Sequence, residues 1–199
     1  MFMKVNDSIM IGEKELRLAL KTHLASDLSS SDKIIEELGI ENGAVRIDLA
    51  VISNRICGYE IKSDFDNALR LVNQIHSYNR VFEHISIVTG STSASSIEHL
   101  LPVWWGIIRA LRNENGDVQL NEIRPPIKNS NRDIYSLLTL FKREELNVLA
   151  IKYAVAAKTI KGSKSSLINT LANLLSLDDV NQEATSALKS RVASLTAAL

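Results

Sequence analysis

Leucines at 16, 18, 20 and 24 punctuate a polar stretch near the start of the chain, and this pattern predicts a helix over 13–25. Ser29, Ser30, Ser31 and Asp32 end it. Three short runs rich in β-branched residues follow, 33–40, 45–52 and 56–63, and predict three strands. The turn signals between them are Glu41-Asn42-Gly43 and Ser53-Asn54-Arg55. A helix is predicted from about 64 to 79, opened by Ser63 as N-cap with Asp66 three residues on. Phe65, Ala68, Leu69, Val72 and Ile75 supply its expected buried stripe. Residues 84–89 read as a fourth strand, and 104–111 and 118–123 as two more, with no clear pattern linking them to the fourth. From about Asn131 onward the chain reads helical, with Leu137, Leu138, Leu140, Phe141, Leu146 and Leu149 as its apolar residues. The expected fold class is α/β (α+β), a core over 1–130 followed by an α-helical C-terminal extension over 131–199.

Composition narrows the function classes. Hydrophobic residues make up 45% and charged residues 23% of the 199, the mixture of an ordinary globular protein. Eight Gly and three Pro exclude a collagen-like or low-complexity chain. One cysteine cannot form an internal disulfide or a cysteine-based zinc site. The histidines, 23, 76, 84 and 99, lack metal-ligand spacing. No apolar run reaches the roughly 18 residues of a membrane span, and the first residues lack the layout of a signal peptide. A cytoplasmic protein without membrane attachment is expected.

The formal net charge is zero, which argues against a protein that coats nucleic acid non-specifically. The halves differ: residues 1–100 carry 10 basic and 14 acidic side chains, and residues 101–199 carry 13 and 9. This asymmetry fits an acidic catalytic half joined to a basic half able to touch phosphates.

Strand pairing by arithmetic brings the acids together. A two-residue turn at Asn42-Gly43 pairs residues whose numbers sum to 85, setting Leu38 across from Ile47 and Glu37 across from Asp48. A three-residue loop at 53–55 pairs residues summing to 108. Leu49 then meets Tyr59, Ile47 meets Ile61 and Val51 meets Cys57, an apolar face. The opposite face holds Arg46 by Lys62, Asp48 by Glu60, and the small pair Ala50 and Gly58, which would leave room for a substrate. Glu36 falls on the apolar face near the strand start, where water can reach it. Glu37, Asp48 and Glu60 therefore form a row, with Lys62 about 7 Å further along β-spacing from Glu60. Carboxylates crowded in this way take up a proton or bind a cation, and hard oxygen ligands suit Mg²⁺ or Mn²⁺. A lysine beside such a cation can hold a water or neutralise charge on a phosphate.

Asp48, followed by Gly58-Tyr-Glu60-Ile-Lys62-Ser on the next strand, resembles the signature of the PD-(D/E)XK nuclease superfamily. Its restriction-endonuclease-like core is a helix, a three-strand meander, a helix and a strand, the order read over roughly 12–90. More narrowly, Glu37-Leu-Gly, Arg46-Ile-Asp48-Leu-Ala, Gly58-Tyr-Glu-Ile-Lys-Ser-Asp64 and Pro102-Val-Trp-Trp-Gly106 resemble a family of small bacterial proteins of uncharacterised function within that superfamily. Ile47 stands where the superfamily's name has proline, a position that many members fill otherwise. The resemblance implies a magnesium-dependent (or manganese-dependent) deoxyribonuclease. Asp48 and Glu60 would ligate the metal with the Ile61 carbonyl, Lys62 would position the attacking water or stabilise the phosphate, and Glu37 would be a third acid. Gln74 and Tyr78 form a Gln-x-x-x-Tyr like that of RecB-type nucleases. At this spacing they share one helix face, which Arg70 extends. This face either braces the lysine or contacts phosphate, or is an ordinary half-exposed face; Arg46, Arg70 and Tyr78 are the candidate substrate contacts, Gln74 a supporting residue.

The remaining signals are weaker. Trp104 and Trp105 can stack on bases, but neighbours in a strand face opposite ways, and core packing is the simpler expectation. Cys57 reads as a small core residue. Lys152, Lys158, Lys161 and Lys164 lie in a stretch with no acid between them, either a phosphate-contacting patch or a solvated helix face. DNA is the expected partner, with a second copy or another protein open for the helical tail. The competing function is a catalytically silent nuclease-fold module that binds nucleic acid or protein.

Overall fold

The computed structural model describes residues 10–66, 69–90 and 97–196. Helix α1 (Glu13–Ala25) leads into strands β1 (Lys33–Ile40), β2 (Val45–Ile52) and β3 (Ile56–Lys62). Helix α2 (Leu69–Val81), strand β4 (His84–Thr89), and strands β5 (Gly106–Arg112) and β6 (Val118–Arg124) follow. Five helices close the chain: α3 (Ile134–Leu138), α4 (Arg143–Lys152), α5 (Ala157–Ile160), α6 (Lys164–Leu174) and α7 (Leu177–Thr196). The six strands form one mixed sheet in chain order. β1, β2 and β3 are antiparallel neighbours, β4 is parallel to both β3 and β5, and β6 closes antiparallel on β5.

Both hairpin registers agree with the sums expected from sequence. β1 and β2 pair Leu38 with Ile47 and Ile40 with Val45, while β2 and β3 pair Leu49 with Tyr59 and Ile52 with Ile56. The β1–β2 connection is a four-residue loop, not a two-residue turn. Glu41, Asn42 and Gly43 all take positive φ (50°, 57° and 90°) in a 3₁₀ turn. Asn and Gly tolerate that region, so the signal was right in position and the register survived.

Both faces of the sheet are covered. Leu16 and Leu20 of α1 are buried against Leu49, Ile61, Val88 and Ile108 on one face. A free helix of this length is marginal in water, so burial of these leucines, about 1.5–3 kcal/mol each, is what holds α1 in place. On the other face Ala50, Ile52, Ile85 and Ile87 pack under α2 and the C-terminal helices in one continuous cluster that reaches Leu188. The segment after residue 130 therefore shares its core with the sheet.

Three expectations change. Ile47 belongs to the cluster under α2, not with Leu49 and Ile61. The β2–β3 ladder stops at Leu49 and Tyr59, and Glu37 opposite β2 has φ of 53°, so alternation is interrupted within β1 and β2 between Leu49 and Ile47. The buried apolar residues of α2 are Leu71, Tyr78, Val81 and the following Phe82, whereas Phe65 and Val72 are exposed; Ala68 and the Leu69 side chain lie outside the described residues. The room expected above Ala50 and Gly58 is filled, since a Cβ on Gly58 would stand 3.0 Å from the Phe82 ring.

Polar groups join α2 to the chain that follows β6. Asn129 Nδ2 donates to the carbonyl oxygens of Asn79 and Phe82, serving the end of α2 where helical carbonyls lack partners. Asp133 caps α3 through the Ser136 N–H at 2.9 Å and also accepts from Arg80 of α2. Trp105 is fully buried and its indole donates to Asn79 Oδ1, with Trp104 half-buried against it, so both tryptophans serve packing. Cys57 is half-buried, and burial raises its thiol pKa to about 11, which leaves it inert as a nucleophile. Among the described residues no helix is long and apolar enough to cross a membrane.

Candidate active site

Glu60 and Lys62 alternate along β3, so both project to the α2 side of the sheet at the strand's C-terminal end. Glu60 is 2% exposed. One of its carboxylate oxygens accepts from Lys62 Nζ at 2.7 Å, and the other lies 2.8 Å from the Tyr78 hydroxyl. Burial, then the neighbouring charge of Asp48, pushes the Glu60 pKa up to about 7 against the help of Lys62 and Tyr78. The Tyr78 hydroxyl also lies 2.5 Å from the Arg46 carbonyl. A phenol has one proton, so ionised Glu60 accepts it, whereas protonated Glu60 donates to Tyr78 and frees that proton for Arg46.

Asp48 sits where the β2–β3 ladder ends. Its carboxylate replaces the missing rung, accepting the Ile61 N–H at 2.6 Å. Burial raises the Asp48 pKa, opposed by that hydrogen bond, Arg17 and Lys62 and assisted by Glu37.

Arg17 of α1 stands in the middle of the expected row of acids. Its guanidinium donates to the Asp48 carboxylate at 3.1 Å, to the Asp48 carbonyl at 3.1 Å, to Glu37 at 2.9 Å and to Glu13 at 2.7 Å. Glu36 lies 3.7 Å from it, half-exposed and also paired with Lys21, which satisfies the acid that fell on the apolar face. Glu37 does not pair with Asp48 across the strands, because its positive φ breaks the ladder and Arg17 takes its carboxylate. Among the described residues no three metal-ligating side chains converge, and the Glu37 carboxylate is turned to Arg17. Arg17 was missed from sequence. Its signal was the Glu13–Arg17 pair at helical spacing beside the buried Leu16 and Leu20.

A cavity of about 560 Å³ gathers these groups. Arg46, Asp48, Glu60, Ile61 and Lys62 line it together with Arg70 and Gln74 of α2. Arg46 and Arg70 are exposed. The Gln74 Oε1 atom is buried with no hydrogen-bond partner among the described residues. Tyr78 is fully buried and is not placed for phosphate contact; it braces Glu60 instead.

Two carboxylates with pKa values raised by burial, on adjacent strands and open to one cavity, fit a divalent cation. Hard oxygens are its preferred ligands, and the cation would relieve the charge crowding that burial leaves. The residues that could hold one are Asp48 and Glu60, with the Ile61 carbonyl as the backbone candidate.

Residues 7–198 match a family model described as bacteriophage P4 protein cII. A curated relative, protein cII of Enterobacteria phage P4, is 26% identical over 183 residues, covering 92% of this chain and 68% of that protein. A solved structure of a protein of unknown function from Silicibacter pomeroyi aligns over 70% of this chain and 90% of its own, with TM-score 0.45 and 14% identity.

Proposed function

We propose that this chain, which belongs to the bacteriophage P4 protein cII family, is a metal-dependent nuclease of the PD-(D/E)XK superfamily that hydrolyses phosphodiester bonds in DNA. The observation that carries the reading is the meeting of Asp48, Glu60 and Lys62 in one cavity, with burial raising the pKa of both carboxyl groups. The element order α1, β1–β2–β3, α2 and a β4 parallel to β3 supports it, being the order that a restriction-endonuclease-like core requires.

Asp48 and Glu60 would hold Mg²⁺ or Mn²⁺, with the Ile61 carbonyl as a further ligand. The bound cation would supply a water of lowered pKa and charge stabilisation for the phosphate. Lys62 places an ammonium group beside Glu60, where it can orient an attacking water and offset negative charge growing on the phosphoryl oxygens. Tyr78 fixes the Glu60 carboxyl from below, and Gln74 adds an unpaired amide oxygen at the cavity wall. Arg46 and Arg70 offer guanidinium groups at the mouth for phosphate.

One observation favours a second reading. Arg17 on Asp48 and Lys62 on Glu60 already give each acid a cation, as in a silent module that has kept its shape. Cleavage separates the two. The nuclease reading expects Mg²⁺- or Mn²⁺-dependent cutting of circular or linear DNA, lost in Lys62→Ala and Asp48→Asn, with the circular substrate distinguishing internal from end cleavage. Equal cutting by all three proteins, or none by any, would contradict it.

A further inference from the structure

We propose that Lys158 and Lys161, continued by Lys164, form a track that leads a nucleic-acid backbone to the mouth of the cavity. The inference rests on the nuclease reading for what happens at the track's end. Residues 146–177 contain four lysines and no acid. Lys152 is committed to Glu183. Lys158 and Lys161 are exposed around the turn from α5 to α6, and Arg143 shapes that turn by donating to the carbonyl oxygens of Ile160 and Gly162.

The link to the cavity is a specific contact. Lys164 Nζ donates to Asn42 Oδ1 at 2.8 Å, in the loop joining β1 to β2. The same loop continues through Gly43 and Ala44 into β2 at Arg46, and these residues line the cavity together with Arg70. A Cβ on Gly43 would meet nothing within 4 Å, so the loop tip is open to an approaching strand. Lys164 thus joins the lysine-bearing turn to the loop that leads into Arg46. The acids facing Lys164 are Glu144 and Glu145, of which Glu145 is held by Arg191, and Glu41 in the same loop as Asn42 lies 3.9 Å from Arg80.

A chain with no net charge can hold a polyanion only by concentrating its positive groups. Lysines at three-residue spacing suit repeating phosphates. A protein partner would call for an exposed aromatic or aliphatic anchor between them, whereas Thr159 is polar and Ile160 is packed against the chain's own core.

The test is metal-free binding of labelled 20-nucleotide single-stranded and duplex DNA to the full chain, in chelator, over a series of salt concentrations. Lys158→Ala/Lys161→Ala leaves the Lys164 contact intact. Lys33→Ala/Lys128→Ala removes equal charge elsewhere. The track variant is expected to bind about tenfold more weakly at low salt, with the slope of log affinity against log salt reduced by about two, while the control keeps the wild-type slope. Equal losses in the two variants, or no DNA binding by the wild type, would overturn the track. Neither result depends on cutting, so the nuclease reading stands or falls separately on the cleavage assay.

Discussion

Glu60 concentrates the chemistry of the molecule in one side chain. Its folded pKa of about 7 exceeds its usual 4.5, chiefly through burial, so the metal-free folded protein binds a proton that the unfolded chain releases between those values. Stability contributed by that proton is present below about pH 4.5 and is lost as pH rises through 7, on the order of 3 kcal/mol. Asp48, raised by burial in the same way, adds in the same direction. Glu145 runs the other way. Burial raises it, but hydrogen bonds from Arg191 and the Lys142 N–H together hold it below its usual value, so its contribution falls away in acid. Urea unfolding in the absence of metal should therefore show greatest stability near pH 5, and Glu60→Gln should flatten the decline toward pH 8. A wild-type profile that rises steadily from pH 5 to 8 would show that Glu60 is ionised without cost.

The strands show how much of the architecture sequence pattern carries. The β1, β2 and β3 registers followed from two turn signals and one requirement, that an apolar row stay apolar. Asp48, Glu60 and Lys62 could be placed near one another for the same reason. Alternation then failed within β1 and β2, where Asp48 replaces a β2–β3 ladder rung with its side chain and Glu37 turns to positive φ. No two-residue periodicity registers either event. Arg17 was hidden for a different reason: its four acidic neighbours come from α1, β1 and β2, and only the packing of α1 assembles them. Gly58 shows a small residue serving packing where a vacant site was expected. Phe82 closes over it, and a Cβ there would lie 3.0–3.2 Å from three ring atoms in a fully buried setting. Gly58→Ala should cost about 1–3 kcal/mol of stability in denaturant titration. An unchanged midpoint would mean that the Phe82 ring moves freely, and that α2 is less firmly seated than its burial indicates.

At the scale of the whole molecule, the site is a junction. Asp48 comes from β2, Glu60 from β3, Arg17 from α1, and Tyr78 from an α2 that packs with the C-terminal helices in one core. The C-terminal helices thus share the core that seats α2, and Lys164 ties them to the loop joining β1 to β2. An ion held by Asp48 and Glu60 would tie these layers together and, by binding only the folded chain, raise the stability of all of them by about 2.7 kcal/mol at a hundredfold excess over its dissociation constant. Everything proposed for the cavity depends on those two carboxylates sharing a cation. The most direct measurement is the melting temperature of the full chain at pH 8 with and without millimolar Mn²⁺, in the wild type, Asp48→Asn and Glu60→Gln. The account predicts a rise of several degrees in the wild type that disappears in both variants. No rise in the wild type, or the same rise in all three proteins, would contradict it.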